Sequence, residues 1–217
     1  FVTWPLLPPN GHDIHPYFAE AEFETKLEEI CSVQDKVMVW LNDPAHNPTG
    51  LSMGDEGRAA CLSSFVTSAI NNEEIGHTLL IDSAYSLYAD EPHAWGETIL
   101  EAVESGMPWP ENFLICVAIS LSKSHTIYGL RTGALVSIHP EKEVIDRLDT
   151  VMSVTGRQTW SAAPRVAQYC VSEMHSSEEG GKAWGQERDR LKQLLDVRRS
   201  NLKAECERLN VPLNPTM

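Results

Sequence analysis

Apolar residues along the chain fall into two alternating patterns. Short continuous runs stand at residues 37–41 (Val-Met-Val-Trp-Leu), 78–81 (Thr-Leu-Leu-Ile), 113–119 and 133–138. Each is bounded by turn residues and rich in strand formers, so each predicts a β-strand, and the run from Phe113 to Ala118 reads as a buried one. Between them the apolar positions recur at helical spacing. Phe18, Ala21, Leu27 and Ile30 do so among glutamates, and further helices are predicted over residues 53–71, 95–105, 141–153 (opened by His139-Pro140) and from about residue 162. A long charged segment, 181–209, carries Trp184, Leu191, Leu194, Leu195, Leu202 and Leu209 on one face, with its charges read as a solvated face. Residues 1–16 are proline-rich and irregular. Strands alternating with helices predict an α/β fold with a mostly parallel sheet, and the link from 119 to 133 is short enough for one antiparallel pairing.

Composition narrows the classes of partner. The 217 residues are 42% hydrophobic, enough for one substantial core or one large domain with part of another. Lysine and arginine number 17 against 31 acidic residues, and nowhere do basic residues cluster with aromatics, so nucleic acid is excluded as an expected partner. Five widely spaced cysteines without a CxxC or Cys/His metal spacing point to reduced thiols in a cytoplasmic protein and to no metal. No apolar run approaches a membrane span, and the opening Phe-Val-Thr-Trp-Pro-Leu-Leu-Pro-Pro lacks the layout of a signal peptide. The chain begins without an initiator methionine, as if mid-protein, so an upstream part is expected.

In open parallel sheets the chemistry gathers at the carboxyl ends of the strands. Three such ends carry reactive groups here. Asn47-Pro48-Thr49-Gly50 follows the first strand, Asp82-Ser83-Ala84-Tyr85 the second, and Ser120-Leu121-Ser122-Lys123 the third, with Arg131 eight residues beyond Lys123 between Gly129 and Gly133. Each alone has a plain structural explanation: a turn, a helix cap, a packed ring, a solvated lysine. Together, an amide, a carboxylate with a phenol, and a lysine with hydroxyls and a guanidinium can converge on one crevice. A planar heteroaromatic aldehyde with a phosphate arm needs this set.

These motifs resemble those of class I/II aminotransferases, the fold type I enzymes dependent on pyridoxal 5'-phosphate, and are most similar to the aspartate and aromatic amino acid branch. The resemblance covers most of residues 1–175. It implies a three-layer αβα fold, with residues 1–175 as a large cofactor-binding domain lacking its N-terminal part and 176–217 as a connecting helix with the beginning of a small domain. It implies that Lys123 forms a Schiff base with the cofactor and shuttles a proton, that Asp82 pairs with the ring nitrogen, and that Asn47 and Tyr85 hydrogen-bond the phenolic oxygen. Arg131 would grip the phosphate with a guanidinium fork, assisted by Ser120 and Ser122. Trp4 would stack on the ring, with packing as the equal alternative. Arg157 would reach the substrate of a partner subunit, with a surface ion pair as its alternative.

The implied reaction is transamination between an amino acid and a 2-oxo acid in a cytoplasmic homodimer. A carbon-sulfur lyase or cyclopropane-forming synthase of the same fold, and a non-catalytic cofactor-binding regulator domain, are the alternatives. The sequence also departs from the pattern. No Gly/Ser/Thr-rich turn opens a phosphate-cradling helix upstream, and the chain stops before the expected carboxylate-binding arginine.

Overall fold

A computed structural model describes residues 2–5 and 17–211; residues 6–16 of the proline-rich opening and the stretch after Val211 lie outside the described residues. The elements run α1 (Glu20–Cys31), β1 (Lys36–Asn42), α2 (Asp55–Asn71), β2 (Gly76–Asp82), α3 (Ala94–Glu104), β3 (Phe113–Ser120), α4 (Leu121–Ser124), β4 (Gly133–Ile138), α5 (Lys142–Thr159), α6 (Arg165–His175) and α7 (Glu178–Arg208), with single 3₁₀ turns at Ser86–Tyr88 and Tyr128–Leu130. The four strands lie in the order β1-β2-β3-β4. The first three pair in parallel and β4 returns antiparallel to β3, as the short 119–133 link predicts.

Period-2 alternation sets which side chains enter the core. Val37, Val39 and Leu41 of β1 are buried on the face that α1 covers, while Met38 and Trp40 turn to the opposite face, where Trp40 is 62% exposed. Leu79 and Ile81 of β2 and Phe113 and Ile115 of β3 continue the buried face, and Cys61, Leu62, Phe65 and Ala69 of α2 meet them. A file of aromatic rings, Phe18, Phe23, Phe65 and Phe113, crosses this core at centroid spacings of 5.2, 6.3 and 5.6 Å. Each such ring contributes roughly 1.5–3 kcal/mol by burial. Asn112 fastens the far end of α2, its side-chain amide donating to Ala69, Asn72 and Ile75 carbonyls.

The predicted helix ending near 153 in fact runs through Gly156 to Thr159. An internal glycine costs about 1 kcal/mol relative to alanine, too little to stop a helix whose neighbours continue the ladder. Arg157 therefore sits on the last turn of α5 and not in a loop.

Candidate active site

The site is built from the turn that follows β3. Ser120 ends that strand and caps α4, its Oγ accepting from the Ser122 N–H at 3.3 Å, while Ser124 Oγ donates to the Ser120 carbonyl at 3.0 Å. A single turn of helix cannot sustain itself, because nucleation fixes several residues for one backbone bond. Side chains from outside hold it. The Tyr88 hydroxyl donates to the Lys123 carbonyl at 3.1 Å, and burial pushes the Tyr88 phenol upward in pKa so that it keeps its proton. The return strand closes the loop through Leu121 N–H to Thr132 O at 3.1 Å. Gly133 permits that closure, since a Cβ there would run into the carbonyl oxygen of Ile119.

Within the loop, Lys123 Nζ stands 5.3 Å from the centroid of the Tyr85 ring, a cation-over-ring arrangement that keeps amine and phenol together. Arg131 donates to Ser122 Oγ at 3.3 Å and to the Tyr128 carbonyl at 2.8 Å, and its guanidinium lies 4.8 Å over the Tyr128 ring. Arg131 does this from a left-handed backbone, φ +51°, which costs a side-chain-bearing residue about 1–2 kcal/mol. The predicted pair of Arg131 and Ser122 is thus in direct contact.

Asp82 lies across the sheet, between Asn42 and Ala118 in register. Its Oδ1 accepts from Ala84 N–H at 3.1 Å, and its Oδ2 receives the indole N–H of Trp40 at 3.4 Å. Ser83 binds the neighbouring strand end twice, backbone N–H and Oγ both reaching the Ala118 carbonyl at 3.0 Å. Asn42 connects the remaining loop: its Nδ2 donates to the Asp82 carbonyl at 3.0 Å and its Oδ1 accepts from Asn47 N–H at 2.6 Å. Below it, buried Asp43 accepts from Met53 N–H at 2.7 Å and Trp95 Nε1 at 2.8 Å, with buried Arg58 3.7 Å away. Burial pushes the Asp43 carboxyl above its ordinary value, against those donors and the Arg58 charge.

Trp4 meets Phe23 edge-on at 5.1 Å and packs against the core, the packing alternative of its two readings. Arg157 is exposed on α5, and its guanidinium reaches Ser161 Oγ at 3.4 Å. Asn42, Tyr88 and Trp40 organise the site without having been singled out from sequence. For Trp40 and Asn42 a signal existed, since period 2 puts both on the face opposite the core at the end of β1.

The donor set fits a phosphate-bearing aldehyde: an amine beside a phenol, a carboxylate held by neutral donors, and a guanidinium with a buried serine hydroxyl for an anion. A model of the family described as aminotransferase class I and II matches residues 14–216. The chain belongs to that family. It is 26% identical over 191 residues to an aromatic-amino-acid aminotransferase of Paracoccus denitrificans, covering 87% of this chain and 45% of the relative. It is 28% identical to a cytoplasmic aspartate aminotransferase of Dictyostelium discoideum, covering 89% and 41%. Among solved structures, an aminotransferase from Anaerococcus prevotii superposes with a TM-score of 0.84 at 27% identity, covering 98% of this chain and 50% of that one. An aromatic-amino-acid aminotransferase from Burkholderia pseudomallei, covalently bound to pyridoxal phosphate, shares the fold with a TM-score of 0.69 at 22% identity. The chain spans a little under half the length of the curated relatives it matches. Aminotransferases of this family depend on pyridoxal phosphate, and the α/β architecture is that of their three-layer αβα large domain.

Proposed function

We propose that the intact protein containing this chain is an aminotransferase that moves an amino group from an amino acid to a 2-oxo acid with pyridoxal 5'-phosphate. The observation that carries this is the loop between Ser120 and Gly133, which holds Lys123 against Tyr85 and Arg131 against Ser122, one strand away from Asp82. When bound, the cofactor supplies an electron sink for the bond changes at the substrate's α carbon. Lys123 supplies the amine for covalent attachment and the base that takes a proton from the α carbon. Asp82 would keep a proton on the ring nitrogen, and Asn47 and Tyr85 would hold the phenolic oxygen. Arg131, Ser120 and Ser122 would bind the phosphate, the arginine supplying the positive charge for it.

In this reading residues 1–175 belong to the cofactor-binding domain, and 176–217, with the 31-residue α7, lead into a smaller one. A homodimer in the cytoplasm is the assembly we propose, on the likeness to cytoplasmic aspartate aminotransferases. Likeness to enzymes named aminotransferases favours transfer over carbon-sulfur cleavage.

The test is spectroscopic. The intact protein is expected to show an absorbance band from lysine-bound cofactor that shifts on adding an amino acid, and Lys123→Ala is expected to lack it. A band that survives in that variant rejects Lys123. An amino-donor screen should yield 2-oxo acid products; ammonia with pyruvate would indicate a lyase.

A further inference from the structure

His125 lies two residues after Lys123 and completes the α4 turn, its backbone N–H donating to the Leu121 carbonyl at 3.1 Å. Its ring leaves the loop and enters the junction of α6 and α7. There it stacks on Trp184 with centroids 4.7 Å apart and planes 15° apart, and its Nε2 stands 3.0 Å from Nε2 of His175 at the end of α6. His175 in turn meets Trp184 edge-on at 5.0 Å, and Arg188 lies 5.2 Å over the same indole.

The protons in this cluster can be assigned. Ser124 Oγ gives its hydrogen to the Ser120 carbonyl, so at 2.8 Å it must accept from His125 Nδ1–H. A neutral His125 then has a bare Nε2, and His175 Nε2–H is the donor between the rings. The relay runs from His175 through His125 and Ser124 to the carbonyl of Ser120, the residue from which α4 starts. Burial and the nearby His175 both hold the His125 pKa below its ordinary value, in keeping with an acceptor nitrogen. Among the described residues, the charged or titratable groups around the turn and this junction include Arg188 on α7, Tyr88 under the turn, and Lys123 with Tyr85 and Arg131 beside it.

The holds on the α4 turn from Tyr88, Thr132 and Arg131 all come from the sheet side, and the His125 ring is what ties the turn to α6 and α7. The α4 turn is four residues long, and α7 buries no residue fully; beyond this cluster α7 is tied down by Lys192, which reaches the Ala89 carbonyl and Asp90, each at 3.0 Å. We propose that His125 is a positioning residue for Lys123, fixing the lysine turn to the α6–α7 junction so that the amine's placement depends on where α7 sits. The catalytic consequence rests on Lys123 being the cofactor lysine; the mechanical link does not.

Two substitutions in the intact protein test this. His125→Gln removes the ring, and His175→Ala breaks the relay from an exposed position 50 residues away without touching the loop. Both are expected to lower kcat about 10-fold with the amino-donor KM unchanged, as displacement of a reacting group does. Both should move the pH midpoint of the lysine-bound cofactor absorbance in the same direction, and the double variant should be no worse than His125→Gln alone. In the cofactor-free protein, His175→Ala should speed amide exchange across residues 121–126. A folded His175→Ala protein with unchanged exchange there overturns the proposal, as does an unchanged absorbance midpoint in both variants. If the unsubstituted protein binds no cofactor through Lys123, the functional reading falls separately, and the exchange measurement alone decides the link.

Discussion

Asn42 donates its side-chain amide to the backbone carbonyl of Asp82, 40 residues away, at 3.0 Å. The same side chain accepts from Asn47 N–H, so one amide sets the spacing between two loops that carry proposed cofactor contacts.

Replacing Asn42 with alanine should therefore act on both loops. One partly buried bond and one exposed bond are lost, and leaving the partly buried Asp82 carbonyl without its donor costs about 1–3 kcal/mol. Urea denaturation should show that loss, and dialysis should show faster release of bound cofactor. Asn42→Asp keeps the acceptor for Asn47 but loses the donor to Asp82, so it is expected to fall between alanine and the unsubstituted protein.

Asp43 is a second anchor, deeper in the molecule. Arg58 is fully buried, and it bonds the Met53 carbonyl, Asp55 and Glu91 as well as lying near Asp43. Asp43→Ala strips the Met53 amide and the Trp95 indole of their acceptor and removes a countercharge, which should cost about 3 kcal/mol in denaturation measurements. A change within about 0.5 kcal/mol, the usual range for surface substitutions, would show that the network is dispensable.

Stability should fall as the solution is acidified below neutrality. Buried His77 donates from Nδ1 toward the Ile75 carbonyl, yet desolvation holds its pKa below the ordinary 6.5, and His125 is shifted the same way. Between the folded and unfolded values the unfolded chain binds more protons, so stability is fully present above 6.5 and is lost as pH falls toward the folded values. For His77 the slope can reach about 1.4 kcal/mol per pH unit. The raised Asp43 carboxyl works in the opposite direction just above 3.8. Urea midpoints measured across this range should slope less in His77→Gln.

Gly133→Ala should be more harmful than its size suggests. The added methyl meets the Ile119 carbonyl, so β4 must move from β3 where Ser120 pairs with Gly133. About 1–3 kcal/mol of overpacking is expected. The lysine-bound cofactor band should weaken in parallel, because Ser120 launches the Lys123 turn.

Much of this was legible in the sequence because it is local. The four apolar runs became the four strands, and Lys123, Ser122 and Arg131 meet because one short loop contains them all. What escaped was long-range. Nothing near Asn42 says that its amide will meet a carbonyl 40 residues on, and nothing near His125 announces a histidine 50 residues later. The helix predicted over 141–153 continues to Thr159, because the turn that Gly156 occupies is held by helical neighbours on both sides. Trp4 likewise meets a partner that local sequence does not name, the ring of Phe23.

The antiparallel return of β4 has a consequence for the order of assembly. Closing the loop between Ser120 and Gly133 brings the lysine and the arginine to their spacing through contacts near in sequence, where chain closure is least costly in entropy. Asp82 and the Asn47 loop reach the same place only after two parallel crossovers, whose pairing is slow because the partners are distant along the chain. In a refolding time course the cationic half of the crevice should therefore be in place before its carboxylate half, and cofactor capture should report the arrival of β1 and β2.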